Sequence, residues 1–109
     1  MAKPNHGNQL NNPNDHHLYG IYDYKEREFY KFGISDEEVK NGTSSRILDQ
    51  INLFNRVAGW LRFAGRILLF PISKRREARK QEDTTIHAFK KKYGRLPRGN
   101  PKHRFLKEE

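Results

Sequence analysis

Four side chains of types that serve phosphodiester chemistry are spread along the chain: Tyr22, Lys31, Arg46 and Glu82. Hydrolysis of such a bond needs a positioned, deprotonated water, neutralisation of charge on the non-bridging oxygens, and stabilisation of the leaving oxygen. Arg46 offers a planar fork that matches phosphate and is never deprotonated at working pH, although by count a surface arginine among many is the plainer reading. Glu82 is a carboxylate suited to one divalent cation. Mg²⁺ (or Mn²⁺) needs few protein ligands, because it keeps most of its waters and also binds substrate phosphate. The alternative for Glu82 is a salt bridge to Arg46 or Arg79. Tyr22 is the candidate base or water-positioning group. A free phenol titrates at about 10, and a neighbouring cation such as Lys31 favours its ionised form. Cross-strand packing is the plainer job for a strand tyrosine.

The elements that must position these groups are legible in the pattern. Two aromatic, β-rich runs flank the charged turn Lys25-Glu26-Arg27-Glu28, which reads as a β-hairpin. With Tyr24 opposite Phe29, Tyr22 faces Lys31 and Gly20 faces Gly33. Strand side chains alternate, so Tyr19, Ile21, Tyr30, Phe32 and Ile34 form a core face. Gly20, Tyr22, Lys31, Gly33 and Ser35 share the other, where the two bare glycines leave a notch for close approach of a ligand.

After the hairpin, Asn41-Gly42 marks a turn and Thr43 or Ser44 can cap a helix to about Val57. Ile47, Ile51, Phe54 and Ala58 follow helical spacing. Arg46 falls in the first turn, whose free N–H groups favour anions. Gly59 to Gly65 reads as a connector and Arg66 to Ile72 as a third strand, with Pro71 at its end or on an edge. Ser73 can cap a second helix through about Tyr93, stopped by Gly94. There Glu82, Ile86, Phe89 and Tyr93 share one stripe, which turns Glu82 toward the protein body. The expected fold is small α/β (α+β), a three-stranded antiparallel sheet flanked by two principal helices. Residues 1–15, rich in Asn, Gly and Pro, read as a polar linker or N-terminal tail, and 16–109 as the single folded domain. Pro97 to Glu109 reads as a basic tail.

Gly20-Ile21-Tyr22 followed by Lys31-Phe32-Gly33 resembles the paired motifs of the GIY-YIG nuclease family, with Lys31 where the family usually carries tyrosine. Arg46, Glu82 and Asn100 follow in the family's order, and the resemblance spans about Leu18 to Asn100. It implies that Glu82 binds metal, that Arg46 acts on phosphate and that Asn100 trails the glutamate as a substrate-binding or turn-capping group. Gly20, Gly33, Ser35 and His17 are further candidates for substrate contact. A narrower likeness, carried by Asn5-His6-Gly7-Asn8 and Tyr30-Lys31-Phe32-Gly33-Ile34-Ser35, is to nuclease toxin domains at the C-terminal end of large bacterial secreted proteins. It implies a Mg²⁺-dependent endonuclease, DNA favoured over RNA, that is secreted by the producing bacterium. Such a toxin acts in the target-cell cytoplasm and is neutralised by an acidic immunity protein. A non-toxic nuclease of repair, restriction or mobile elements, and a catalytically dead nucleic-acid-binding module, are the alternatives.

Composition agrees with a polyanionic partner. The 109 residues carry 22 basic and 13 acidic side chains, a net charge of +9, which favours nucleic acid or an acidic protein. The clusters Lys74-Arg75-Arg76, Arg79-Lys80 and Lys90-Lys91-Lys92 have few interleaved aromatics and read as phosphate contacts, not base readers. There is no cysteine, so disulfides and thiolate metal sites are excluded. No run of residues approaches the roughly 20 apolar positions of a membrane span.

Overall fold

In the computed structural model, residues 14–107 are described. The elements run β1 (Asp15–Asp23), β2 (Glu28–Ser35), α1 (Ser45–Ala58), β3 (Phe63–Ser73) and α2 (Arg75–Tyr93). The strands form one antiparallel sheet in the order β2-β1-β3, so the expected α+β architecture is the one observed. Most of the expected linker, and its Asn5-His6-Gly7-Asn8 motif, lies outside the described residues. Its last residue, Asp15, opens β1 and pairs with Ser73.

The hairpin register differs from the expected one, and with it the division of the faces. Tyr22 pairs with Phe29, not Lys31, and Asp23 pairs with Glu28. The cause is Asp23. Its carboxylate accepts from the backbone N–H groups of Lys25 at 2.9 Å and Glu26 at 3.4 Å, while its carbonyl accepts from the Arg27 N–H at 2.8 Å. This pulls the turn one residue toward the N-terminus, with Arg27 at φ 57° closing it. A bulge then resets the ladder to Ile21 opposite Lys31, Gly20 opposite Phe32 and Tyr19 opposite Gly33. The extra residue, Tyr30, ends up on the same side as Lys31, as a bulge allows.

Both faces of the sheet are therefore covered, each by its own helix. Tyr19, Ile21 and Phe63 pack with Ile47 of α1, joined by Tyr30, Ile51, Phe54, Ala58 and Ile67. On the opposite face Phe32 packs with Ile86 and Phe89 of α2, joined by Phe29, Leu68 and Leu96. Phe32 thus belongs to the far core, contrary to the alternation assumed from sequence, because the bulge breaks the period of two. The α1 stripe faces the sheet as its spacing predicts, with Ile47 buried and Ile51, Phe54 and Ala58 half-buried. Ala78, Glu82, Ile86 and Phe89 are the buried positions of α2, and Tyr93 remains 39% exposed.

Helix ends follow local chemistry. The Ser44 hydroxyl caps α1 by accepting from the Ile47 N–H. Gly59 and Gly94 close the two helices in the left-handed region at φ 82° and 74°, where a Cβ is costly. Ser73 does not cap α2: it is held in the ladder with Asp15, and Lys74 takes the cap position at φ 71° without a side-chain hydrogen bond. The third strand is longer than expected and begins at Phe63, whose N–H and carbonyl are both engaged by the Asn55 side-chain amide at 2.7 and 3.0 Å.

Beyond the hairpin turn, Asp23 is fully buried and receives Arg62 through two bonds of 2.8 Å and Arg98 through another of 2.8 Å. These partners hold its carboxyl well below the usual range, Arg62 contributing most. The segment after α2 is not a free tail. Gly99 donates to the Tyr30 carbonyl at 2.7 Å, and this covers the outer edge of β2.

Candidate active site

The α1 face of the sheet brings together three side chains that form one hydrogen-bonded chain. Lys31 of β2 donates from Nζ to Gln50 Oε1 at 2.9 Å, and Gln50 Nε2 donates to the Tyr19 hydroxyl oxygen at 2.7 Å. An ammonium can only donate. Lys31 therefore fixes the Gln50 carbonyl toward itself and the NH₂ toward Tyr19. The Tyr19 oxygen is an acceptor in this chain, so its own proton is directed elsewhere. Gln50 sits one helical turn beyond Arg46, on the same side of α1.

Arg46 and Glu82 act electrostatically on both ends of this chain. Burial pushes the Tyr19 phenol up, with the Gln50 hydrogen bond and the Arg46 charge opposing. Burial pushes the Lys31 ammonium down, reinforced by Arg46 and opposed by Glu82. Tyr19 is thus a phenol kept protonated, the reverse of the ionised tyrosine expected at Tyr22. Tyr22 lies on the other face, its ring packed against Phe29 and Tyr24 at 5.3 Å between centroids in each case. The expected Tyr22–Lys31 pairing is excluded by the register.

Glu82 is turned inward as expected, 9% exposed. Burial raises its carboxyl above the ordinary range, with His103, Arg79 and Arg75 pulling it back. Arg79 Nε lies 3.2 Å from Glu82 Oε1, but the N–H is not aimed along that line and the buried Nε has no hydrogen bond. Glu82 is therefore a buried carboxylate with spare acceptor capacity, the condition under which a cation is favoured. Ligand atoms of Asp83 and His103 lie with those of Glu82 within 4.8 Å of one another. Those two already satisfy each other: His103 Nε2 meets Asp83 Oδ1 at 2.8 Å, and Asp83 Oδ2 accepts from the Leu106 N–H at 2.7 Å.

The remaining expected site residues have structural jobs. The space beside Gly20 is filled by the Phe29 ring and that beside Gly33 by the Tyr19 ring, so the glycines admit the protein's own aromatics and not a ligand. The Ser35 hydroxyl accepts from the Glu37 N–H at 3.0 Å and shapes the turn after β2. Asn100 spends its amide on Phe32, accepting from its N–H and donating to its carbonyl, both at 2.9 Å. It pairs the strand edge. His17 is fully buried, its Nε2 3.0 Å from Ser44 Oγ and its Nδ1 without a partner. Burial is the main cause that lowers its pKa.

Tyr19 and Gln50 were not singled out by sequence. The signals were present: a tyrosine on a core face needs a partner for its hydroxyl, and Gln50 is four residues after Arg46.

A model of the family described as URI fold toxin 2 matches residues 9–94. The chain belongs to the URI fold toxin 2 family. Membership makes it a toxin domain, in accord with the toxin reading of the motifs. No curated protein and no solved structure matches it significantly. Among the described residues no helix of this toxin domain is long and apolar enough to cross a membrane.

Proposed function

We propose that this toxin domain is a nuclease that hydrolyses phosphodiester bonds of nucleic acid, DNA favoured, as the toxic part of a secreted bacterial effector. The observation that carries this reading is the Lys31–Gln50–Tyr19 chain lying within the fields of Arg46 and Glu82. The net charge of +9 suits both a nucleic-acid substrate and an acidic immunity protein that covers the site. The motif likeness to GIY-YIG nucleases supports the same chemistry.

In this mechanism Arg46, exposed at the start of α1, holds the non-bridging oxygens of the scissile phosphate through its fork. Lys31 keeps one proton on Gln50 and turns the others to the same phosphate. Water attacks phosphorus, giving up a proton to solvent, and the bond to the leaving oxygen breaks. Tyr19 donates its free proton to that oxygen, leaving an alcohol, and the phenolate is reprotonated from solvent. A phenol is a stronger acid than the alcohol it releases, so it remains a competent donor even with its pKa raised. Glu82 would hold a divalent cation, Mg²⁺ or Mn²⁺, which supplies charge stabilisation and an acidified water when bound.

A plasmid-nicking assay with purified domain, run with Mg²⁺ and with chelator, tests the reading. Mg²⁺-dependent nicking by wild type that is abolished in Glu82→Gln is the expected result. Absence of cleavage of DNA and of RNA under both conditions would overturn it.

A further inference from the structure

We propose that Arg75 binds a second backbone phosphate of the substrate, next to the one held by Arg46. The inference rests on the nuclease reading and deepens it: the site takes a polynucleotide strand, not an isolated phosphodiester.

The topology brings the two arginines to one end of the sheet. Ser44, at the start of α1, is bonded to His17 on β1, and His17 pairs with Ser35 at the end of β2. Arg75 opens α2 two residues after Ser73, and Ser73 pairs with Asp15 at the start of β1. The first turns of both helices therefore meet where β2 and β3 end, and each carries an arginine there. Arg75 Nε is buried and has no hydrogen-bond partner. No carboxylate among the described residues lies within ion-pair distance of Arg75 or Arg46. Yet Arg75 feels Glu82, Arg79, Asp36 and Arg46, and burial pulls its pKa down. Two neighbouring guanidinium groups repel, and a buried donor without an acceptor is costly. An anion relieves both penalties at once, and a phosphate oxygen is an acceptor that a guanidinium matches in shape.

The order of the charges separates the two phosphates. Arg46 lies on α1, one turn before Gln50 of the hydrogen-bonded chain, whereas Arg75 opens α2, two turns before Glu82. Arg75 therefore stands outside the reacting group, one step along a bound strand. It is a positioning residue.

The test is binding of a fluorescently labelled single-stranded oligonucleotide of about ten nucleotides, with chelator present so that nothing is cut. Wild type should show log affinity falling linearly with log salt. Arg75→Gln should reduce the slope by about 0.7, the contribution of one phosphate contact on a single strand, with a Tm no lower than wild type. Arg75→Lys should keep the slope while weakening binding. In Mg²⁺, Arg75→Gln should raise KM on the oligonucleotide far more than it lowers kcat. An unchanged slope in Arg75→Gln, or a lowered Tm with an unchanged slope, overturns the assignment while wild-type cleavage leaves the nuclease reading standing. Wild type that neither binds nor cleaves overturns both.

Discussion

Lys31 and Tyr19, on neighbouring strands, are joined through a single amide, and the lysine end of that chain decides which way the tyrosine end points. Because the ammonium claims the Gln50 carbonyl at 2.9 Å, the Gln50 NH₂ must meet the Tyr19 oxygen, at 2.7 Å. Gln50→Glu should thus be damaging although nearly isosteric. A carboxylate accepts only, so it would draw the Tyr19 proton inward and away from the substrate. Tyr19→Phe should lower kcat by about 10²–10⁴, the range for loss of a general acid, and Gln50→Glu should approach it. Tyr22→Phe should leave kcat within a few-fold of wild type. Single-turnover cleavage measures all three. A silent Tyr22→Phe enzyme alongside an active Tyr19→Phe one would refute the assignment.

The pH–rate profile should fall on the alkaline side through Lys31, not Tyr19. Burial and Arg46 pull the Lys31 ammonium below its ordinary 10.5, and burial lifts the Tyr19 phenol above its ordinary 10.0. The two shifts are opposite in sign, Lys31 moving toward neutral pH and Tyr19 away from it, so the limb is assigned to the lysine. Lys31→Arg, whose cation does not titrate in this range, should shift that descending limb upward. A limb that stays in place would assign it to another group.

Glu82→Gln should remove activity and raise stability together. The folded-state carboxyl is raised above its ordinary 4.5. Between those two values the native state holds the extra proton, so stability falls as pH rises through the window, and the cost persists at neutral pH. The amide carries no charge to bury. Cleavage should drop by about 10²-fold or more, while Tm in chelator at pH 7 should exceed wild type. A lower Tm would mean that the ion pair with Arg79 outweighs the burial cost.

His17 should make the domain sensitive to mild acid. Its pKa is lowered from 6.5, so the unfolded chain binds the proton more readily. The neutral ring's contribution is fully present above about 6.5 and is lost as pH falls through the lowered folded-state value. Tm measured from pH 7.5 to 5 should decline more steeply for wild type than for His17→Gln. Parallel curves would place the sensitivity elsewhere.

Asn100→Ala should act on the site without touching it. Both amide atoms pair the backbone of Phe32, the residue after Lys31, on the outer edge of the sheet. Their loss leaves that N–H and carbonyl unpaired, which costs about 1–3 kcal/mol. Thermal melts should show the loss, and kcat should fall as Lys31 loosens, with KM affected less.

The helices, the cap at Ser44, the stop at Gly94, and the inward turn of Glu82 were legible because each depends on spacing within a few residues. The hairpin register was not. It was settled by Asp23, a residue whose side chain gathers two turn N–H groups and two arginines from distant segments, and by the bulge at Tyr30. One residue of slip reassigns every side chain beyond it, which moved the tyrosine of interest from Tyr22 to Tyr19. The partners of Asn100 were not legible for a related reason: they are backbone atoms of an edge strand, and a sequence does not reveal which edge is left open.

The proposed reacting set is distributed over four elements: Tyr19 on β1, Lys31 on β2, Arg46 and Gln50 on α1, and Glu82 on α2. The first four belong to one face of the sheet, and Glu82 arrives with the helix that covers the other. No contiguous piece of the chain ending before α2 contains the whole set. On the proposed reading, a nascent or partly unfolded chain lacks the complete set until its last helix docks.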